Sequence, residues 1–159
     1  MIKKPNHGNH RNTGSAFIEI SVAFLVMIIL TGLGLDLTLI TLGMFLNDQA
    51  CRDAARAAAQ QNNSASALTA AQTQLKVHAT DGIFISQPIL VSQTSPNFVY
   101  NDYAGSPPAN QSSYVTVTTS VNIKIPAPIL FGSAVYVAAG NIQFIRRYTY
   151  PIIRMKFYG

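Results

Sequence analysis

Sixteen consecutive residues near the N-terminus, Ile20 to Leu35 (ISVAFLVMIILTGLGL), carry no charge at all. The wider stretch from Ala16 to Leu46 is nearly all apolar, with Glu19 and Asp36 its only charged residues. A helix rises about 1.5 Å per residue, so about 20 apolar residues cross the hydrocarbon core of a bilayer. Phe17 to about Leu37 meets that length, and the sequence predicts a transmembrane helix there. Charged residues make up only 11% of the 159-residue chain and hydrophobic ones 48%. An ordinary soluble domain is roughly 25% charged, and most of the apolar excess sits in this one block.

The flanking charge sets an orientation. Lys3, Lys4 and Arg11 precede the apolar block with no acid among them. Beyond it, Arg52 and Arg56 are accompanied by Asp48 and Asp53. Cytoplasmic flanks are enriched in Lys and Arg, so the N-terminus is expected in the cytoplasm and the C-terminal part outside. The net charge of +5 is largely the contribution of the first 14 residues. No stripe of Lys and Arg suits a phosphate backbone, which argues against nucleic-acid binding.

Three segments follow from the pattern. Residues 1–14 (MIKKPNHGNHRNTG) are polar and basic, and are expected to be a disordered leader. Residues 15–61 read as one long helix, the transmembrane span followed by an Ala-rich extension. Within that extension Asp48 and Arg52 stand four apart, with the acid N-terminal, a spacing that favours helix. Asn62, Asn63 and Ser64 predict a break. Residues 62–159 then form an extracytoplasmic α+β domain, opening with a short helix over about 66–78 that presents Leu68, Ala71 and Leu75 on one face.

Past Gly82 the chain turns to Val, Ile, Thr, Tyr and Phe, punctuated by Pro and Asn/Ser/Gly clusters. Gly82 to Ser92 predicts a strand interrupted near Pro88. Ser95 to Ser113 reads as loop. Tyr114 to Ile125 is the clearest strand, with Val115, Val117, Val121, Ile123 and Ile125 on one face. Thr116, Thr118, Ser120, Asn122 and Lys124 fall on the other, which predicts a sheet with one wet side. Thr119 alone breaks the alternation. Ile129 to Ala139 is apolar without a clear period, and Ile142 to Tyr150 alternates again. The expected fold class is α+β: a long N-terminal helix, a short helix and a small antiparallel sheet.

Gly14, Ser15 and Glu19 carry the functional argument. A glycine closes the basic leader, four residues later comes a glutamate, and the uncharged run begins at once. A carboxylate brought to the bilayer centre costs about 2.5–3.5 kcal/mol on insertion scales, so a partner is expected. Cleavage after Gly14 would create an α-amine at Ser15, with a reference pKa of about 8, mostly protonated at neutral pH. Ser15 and Glu19 share one helix face, so the new ammonium can neutralise Glu19 in its own chain or in a neighbour. Without cleavage, Glu19 would instead reach up to the cytoplasmic headgroups. Asp36 lies 17 positions further on, about 25 Å along the axis. It reads either as an acid at the outer membrane interface or as a helix-packing contact. Gly32, Gly34 and Gly43 nearby permit close backbone approach.

These residues resemble a known family. The basic leader, Gly14, Glu19, the apolar run, Gly34-Leu35-Asp36, and then Asn47-Asp48-Gln49-Ala50-Cys51-Arg52-Asp53-Ala54-Ala55-Arg56-Ala57-Ala58 are similar to the TadE-like pseudopilins of the tight-adherence (Flp pilus) system, within the type IV pilin superfamily. The likeness covers about Gly14 to Ala59; beyond it only the order of helix then strand agrees. The resemblance implies a minor pilin-like subunit that assembles or anchors adhesive pili and is processed by a prepilin peptidase after Gly14. It also implies a single-pass protein of the bacterial cytoplasmic membrane, with other pilin-like subunits, a membrane assembly platform and the lipid bilayer as partners. Extraction into a pilus is left open. Ile20 follows Glu19 where the Flp major pilin typically has tyrosine, and Ser15 stands where type II secretion pseudopilins usually have phenylalanine. The alternative is a non-enzymatic envelope binding or adhesion domain, secreted or held by an ordinary signal anchor.

Enzymatic chemistry is not indicated. His7 and His10 form an H-x-x-H with no carboxylate or cysteine close by, in the expected leader. Asp48, Asp53, Asp81 and Asp102 form no pair suited to acid–base work, and His78 stands near a helix end. Ser133 lies in FGSAV, not in a nucleophile elbow. No cofactor, metal or small-molecule substrate is expected. The single cysteine, Cys51, allows no intrachain disulfide and reads as a small buried helix residue. Arg146, Arg147, Arg154 and Lys156 interleave with aromatics, which suits an edge strand or a surface for a neighbouring subunit or anionic lipid.

Overall fold

The computed structural model describes residues 10–126, 129–131, 134–137 and 140–152, with side chains over 15–126 and 140–152. Its elements are α1 (His10–Ala59), α2 (Ser64–Val77), β1 (Ile89–Leu90), β2 (Phe98–Asn101), a 3-10 turn (Tyr103–Gly105), β3 (Tyr114–Ile125), β4 (Ile129–Phe131), β5 (Ala134–Val137) and β6 (Gly140–Pro151). This is the α+β arrangement expected from the sequence. The chain divides at Leu35/Asp36 into two compact units.

The first unit contributes the apolar part of α1. That stretch is long and apolar enough to cross a membrane, and none of its most apolar window is buried. Phe17, Phe24 and Met27 all stand exposed. A helix apolar on every side satisfies its own backbone groups and still needs an apolar surround. It is the one candidate membrane-spanning helix among the described residues, close to the N-terminus, and is consistent with single-pass anchoring. The helix begins at His10, so positions 10–14, expected as disordered leader, are helical; residues 1–9 lie outside the described residues.

The second unit starts where α1 acquires a small-residue stripe. Gly43, Asn47, Ala50, Cys51, Ala54, Ala55 and Ala58 are all buried, and their spacing of three or four places them on one face. That face lies on a sheet whose central strand is β3. β6 pairs antiparallel with β3 along its full length, from Ile125↔Gly140 to Tyr114↔Pro151. On the other edge, β1 and β2 share β3, with Leu90↔Thr119 and Phe98↔Val117. β4 and β5 form a separate two-stranded pair.

Glycine 43 marks the closest approach. A Cβ there would collide with Cδ1 of Ile123 and stand 2.7 Å from its Cγ1. One turn on, Asn47 spans two strands: its Nδ2 donates to the Phe144 carbonyl at 3.0 Å, and its Oδ1 accepts from the Thr119 hydroxyl at 2.8 Å. Thr119, the residue that interrupts the apolar alternation, is therefore the sheet's polar contact with the helix. A further turn on, the Cys51 thiol points at the carbonyls of Val117 and Arg146, 3.4 Å from each. The helix thus lies over the β3–β6 seam, low enough for short side chains to reach strand backbone. Ala67, Ala71 and Leu75 of α2 complete this core with Phe98, Val115 and Val117. The break before α2 falls as expected, with Asn63 as N-cap accepting from the Ser66 N–H at 2.8 Å.

Three expectations require correction. Gly82 to Ser92 is not one strand: Ile85 makes an isolated bridge to Ile123, and only Ile89–Leu90 pairs as β1. Buried Pro88, without an N–H, separates them. The expected loop over Ser95 to Ser113 contains β2 and the 3-10 turn. The sheet's second face is not uniformly wet either. Thr116, Thr118 and Ser120 are buried, and only Asn122 and Lys124 at the strand end are exposed. Because β3 has neighbours on both edges, its short side chains are covered from both sides.

Replacing Gly43 with alanine is expected to destabilise the second unit by about 1–3 kcal/mol, the range for overpacking a close contact. Urea unfolding of the detergent-solubilised chain reads this as a lower midpoint; an unchanged midpoint would show that the helix does not sit this low.

Candidate functional site

The candidate processing site lies near the start of α1. Gly14, Ser15 and Glu19 all fall within continuous helix, and Ser15 and Glu19 are exposed. Four residues of separation place them one turn apart. No ion pair to Glu19 exists among the described residues. The carboxylate therefore stands at the head of an exposed apolar helix with no cation from its own described chain. A peptidase acting after Gly14 must first open the helix there, since the bond lies inside it and not in an extended leader.

Gly32, Gly34 and Asp36 do not form a site with those residues. Gly32 is half-buried and Gly34 exposed, and a Cβ added at Gly34 meets nothing within 4 Å. The glycine that permits close approach inside this chain is Gly43. Asp36 is fully buried, and neither carboxylate oxygen has a hydrogen-bond partner among the described residues. Of its two sequence readings, an interfacial acid in contact with water does not fit that burial. A buried acid without partners is among the more expensive features a fold can carry.

The polar groups further along α1 are consumed within the fold. Arg52 Nη2 is 2.8 Å from Asp48 Oδ2, the expected four-residue pair. Tyr148 of β6 joins them, donating its hydroxyl to Asp48 Oδ1 at 2.7 Å and accepting from Arg52 Nε at 2.8 Å. The Arg52 guanidinium lies 5.1 Å over the Tyr148 ring, and Arg56 stands 6.0 Å over Tyr150. Arg147 turns to the other face and donates to the Pro96 carbonyl at 2.9 Å. The interleaved basic and aromatic residues of β6 thus have intramolecular partners; Arg154 and Lys156 lie outside the described residues. The sequence reading missed this network, although Tyr148 and Tyr150 share the alternating face with Phe144.

His78 caps α2, with Nε2 3.2 Å from Asp53 Oδ2, an ion-pair distance without hydrogen-bond alignment. Among the described residues no three His, Cys, Asp or Glu side chains gather in a group that could hold a metal ion. Cys51 is buried, and burial pushes its thiol above the usual range, which keeps it in the unreactive neutral form. Asp81 organises the turn after α2: its Oδ1 accepts from the Ile85 N–H at 2.9 Å and its Oδ2 from the Phe84 N–H at 3.1 Å. Gly82 supplies the left-handed backbone, φ +67°, that the turn needs.

Two predictions arise from these acids. Asp36→Leu removes a buried polar side chain that has no partner among the described residues and fills similar volume, so it is expected to stabilise the isolated chain by about 1–3 kcal/mol. A drop in thermal midpoint instead would mean that the carboxylate is paired. The backbone N–H of Ile85, then that of Phe84, hold the Asp81 carboxyl below its ordinary range. The folded state therefore binds its proton less readily than the unfolded chain does. The stabilisation is present above the unfolded carboxylate value and is lost as pH falls through the lower folded one. Asp81→Asn is expected to flatten the acid limb of a melting-temperature profile; an unaltered limb would contradict this role. No protein-family model, curated protein or solved structure matches this chain.

Proposed function

We propose that this chain is a minor pilin-like membrane subunit, cut by a prepilin peptidase after Gly14, that serves the assembly or anchoring of tight-adherence (Flp-type) pili. The observation that carries the reading is Glu19: an exposed carboxylate without an ion-pair partner among the described residues, one helical turn from Ser15, at the head of an exposed apolar helix. Cleavage would place a protonated amine at the position where that charge needs one. A neighbour's amine would serve equally well, and pairing between chains would fix the axial register of packed helices. The three basic residues before the span support an orientation with the N-terminus in the cytoplasm of the bacterial inner membrane and the α+β unit outside. The second unit, in which Asp48, Arg52 and Tyr148 pair with one another, then acts as a structural and contact domain.

Glu19→Ala separates this reading from that of a plain anchored domain. The variant should still insert, and the peptidase should still act on it, while its recovery in crosslinked complexes with neighbouring subunits falls several-fold. Glu19→Asp should retain part of the signal, because the charge is kept. Wild-type levels of both maturation and crosslinking in Glu19→Ala would contradict the proposal and favour an uncleaved or conventionally anchored binding domain.

A further inference from the structure

A cleft of about 350 Å³ opens within the second unit, between the last turns of α2 and the segment that carries β1. That volume lies in the range of ligand sites. Buried Leu75 and Pro88 supply its apolar part. Gln72, Gln87, Gln93 and Lys76 supply its polar part, and none of the lining residues is acidic or aromatic. Gln72, Leu75 and Lys76 stand three and four apart, so one face of α2 forms this wall. The Gln87 Nε2 donates to the Lys76 carbonyl at 3.2 Å, which ties the opposite wall to the helix end and leaves the Gln87 Oε1 as an acceptor.

The β1 side of the cleft is a sheet edge. Ile89 stands opposite Ser120 and Leu90 opposite Thr119, and the Val91 N–H donates to the Thr118 carbonyl at 3.0 Å. Hydrogen-bonded and non-hydrogen-bonded pairs alternate along an antiparallel ladder. Ile89 and Val91 therefore turn their backbone groups toward β3, and Leu90 turns its N–H and C=O away from it. β1 pairs with no strand other than β3, and neither Leu90 group has a partner among the described residues. An edge of this kind is a template for another extended chain. A residue laid antiparallel opposite Leu90 would exchange two backbone hydrogen bonds with it.

We propose that this cleft binds an extended, acidic peptide segment of a partner protein, added as a short strand along β1 with a carboxylate at Lys76. Two observations favour that occupant. The free Leu90 pair and the surrounding glutamine amides each offer a donor and an acceptor, the combination that a peptide backbone presents in return. Lys76 is exposed and has no ion pair among the described residues, and the cleft brings no acid of its own. An acidic side chain is its complement, and a basic one would meet repulsion. The inference rests on the second unit alone, so it is independent of processing at Gly14.

The test uses the full chain in detergent and the probe acetyl-Thr-Val-Glu-Val-Thr-amide, with analogues that carry Gln or Lys in place of Glu. Binding of the acidic probe is expected to slow amide hydrogen exchange at Leu90 several-fold, while Ile89 and Val91, already bonded to β3, change little. Lys76→Ala should weaken the acidic probe by about two- to fivefold, the range for an exposed ion pair. Lys76→Glu should reverse the order, so that the Lys analogue binds best. Lys76 is exposed, so both variants leave the buried face of α2 intact. No protection of Leu90 at millimolar acidic probe overturns the proposal, as does equal binding of the three peptides. Leu90 protection that grows with chain concentration in the absence of probe also overturns it, and would make the edge a contact between copies of the chain.

Discussion

The second unit depends on how closely α1 approaches the seam between β3 and β6. Helices usually stand off a sheet by the thickness of two layers of side chains. Here the helix presents Gly43, Ala50, Cys51, Ala54 and Ala58, and the separation shrinks until Asn47 touches both strands. That contact specifies register in a way that apolar packing alone does not. A shift of α1 by one residue would leave the Thr119 hydroxyl and the Asn47 amide buried without partners, at about 1–3 kcal/mol for each lost bond. The stripe of small residues is therefore the condition for the polar clamp, and the clamp fixes where the helix sits on the sheet.

The same helix must satisfy a different environment earlier in its course. From Phe17 to Leu30 its apolar side chains are mostly large and exposed on every side, which suits hydrocarbon and not water. After Asp36 the face toward the sheet is small while the opposite face still carries Leu42 and Phe45. One unbroken helix thus supplies first an apolar stretch compatible with a membrane anchor and then the spine of a domain, and the change is encoded as a change in side-chain size on one face. Glu19 and Asp36 stand out because neither obeys the rule of its neighbourhood. One is an exposed acid in an apolar run, and the other is a buried acid without a hydrogen-bond partner among the described residues.

Much of this fold was legible in the sequence because its long elements carry clear periods. The lengths of α1 and α2, the span of β3 and the alternation in β6 follow from apolar spacing and from Asn63 as a break. The shorter pieces were hidden. β2 is four residues between Pro and Asn clusters, and pattern alone reads it as loop. β1 is two residues, cut from Ile85 by Pro88. The buried Thr116, Thr118 and Ser120 were assigned to a wet face because the sequence does not announce that β3 has a neighbour on each edge. The Asn47 clamp left a usable signal, a polar residue four positions after Gly43 on the small-residue stripe. The Asp48–Arg52 half of the polar network was legible as a four-residue spacing, but Tyr148 had no local signature, since it lies 100 residues from Asp48 and only the tertiary fold joins them. The Gly14–Ser15–Glu19 arrangement was visible because its logic is local, resting on charge, spacing and the start of an apolar run.

The proposed function rests on a charge that exists only after a peptide bond is cut, and the chain's own N-terminus reports directly on that event. Sequencing the N-terminus of the protein extracted from membranes of cells that contain a prepilin peptidase is the decisive measurement. A start at Ser15 is the predicted result. A chain beginning at Met1 would contradict the account.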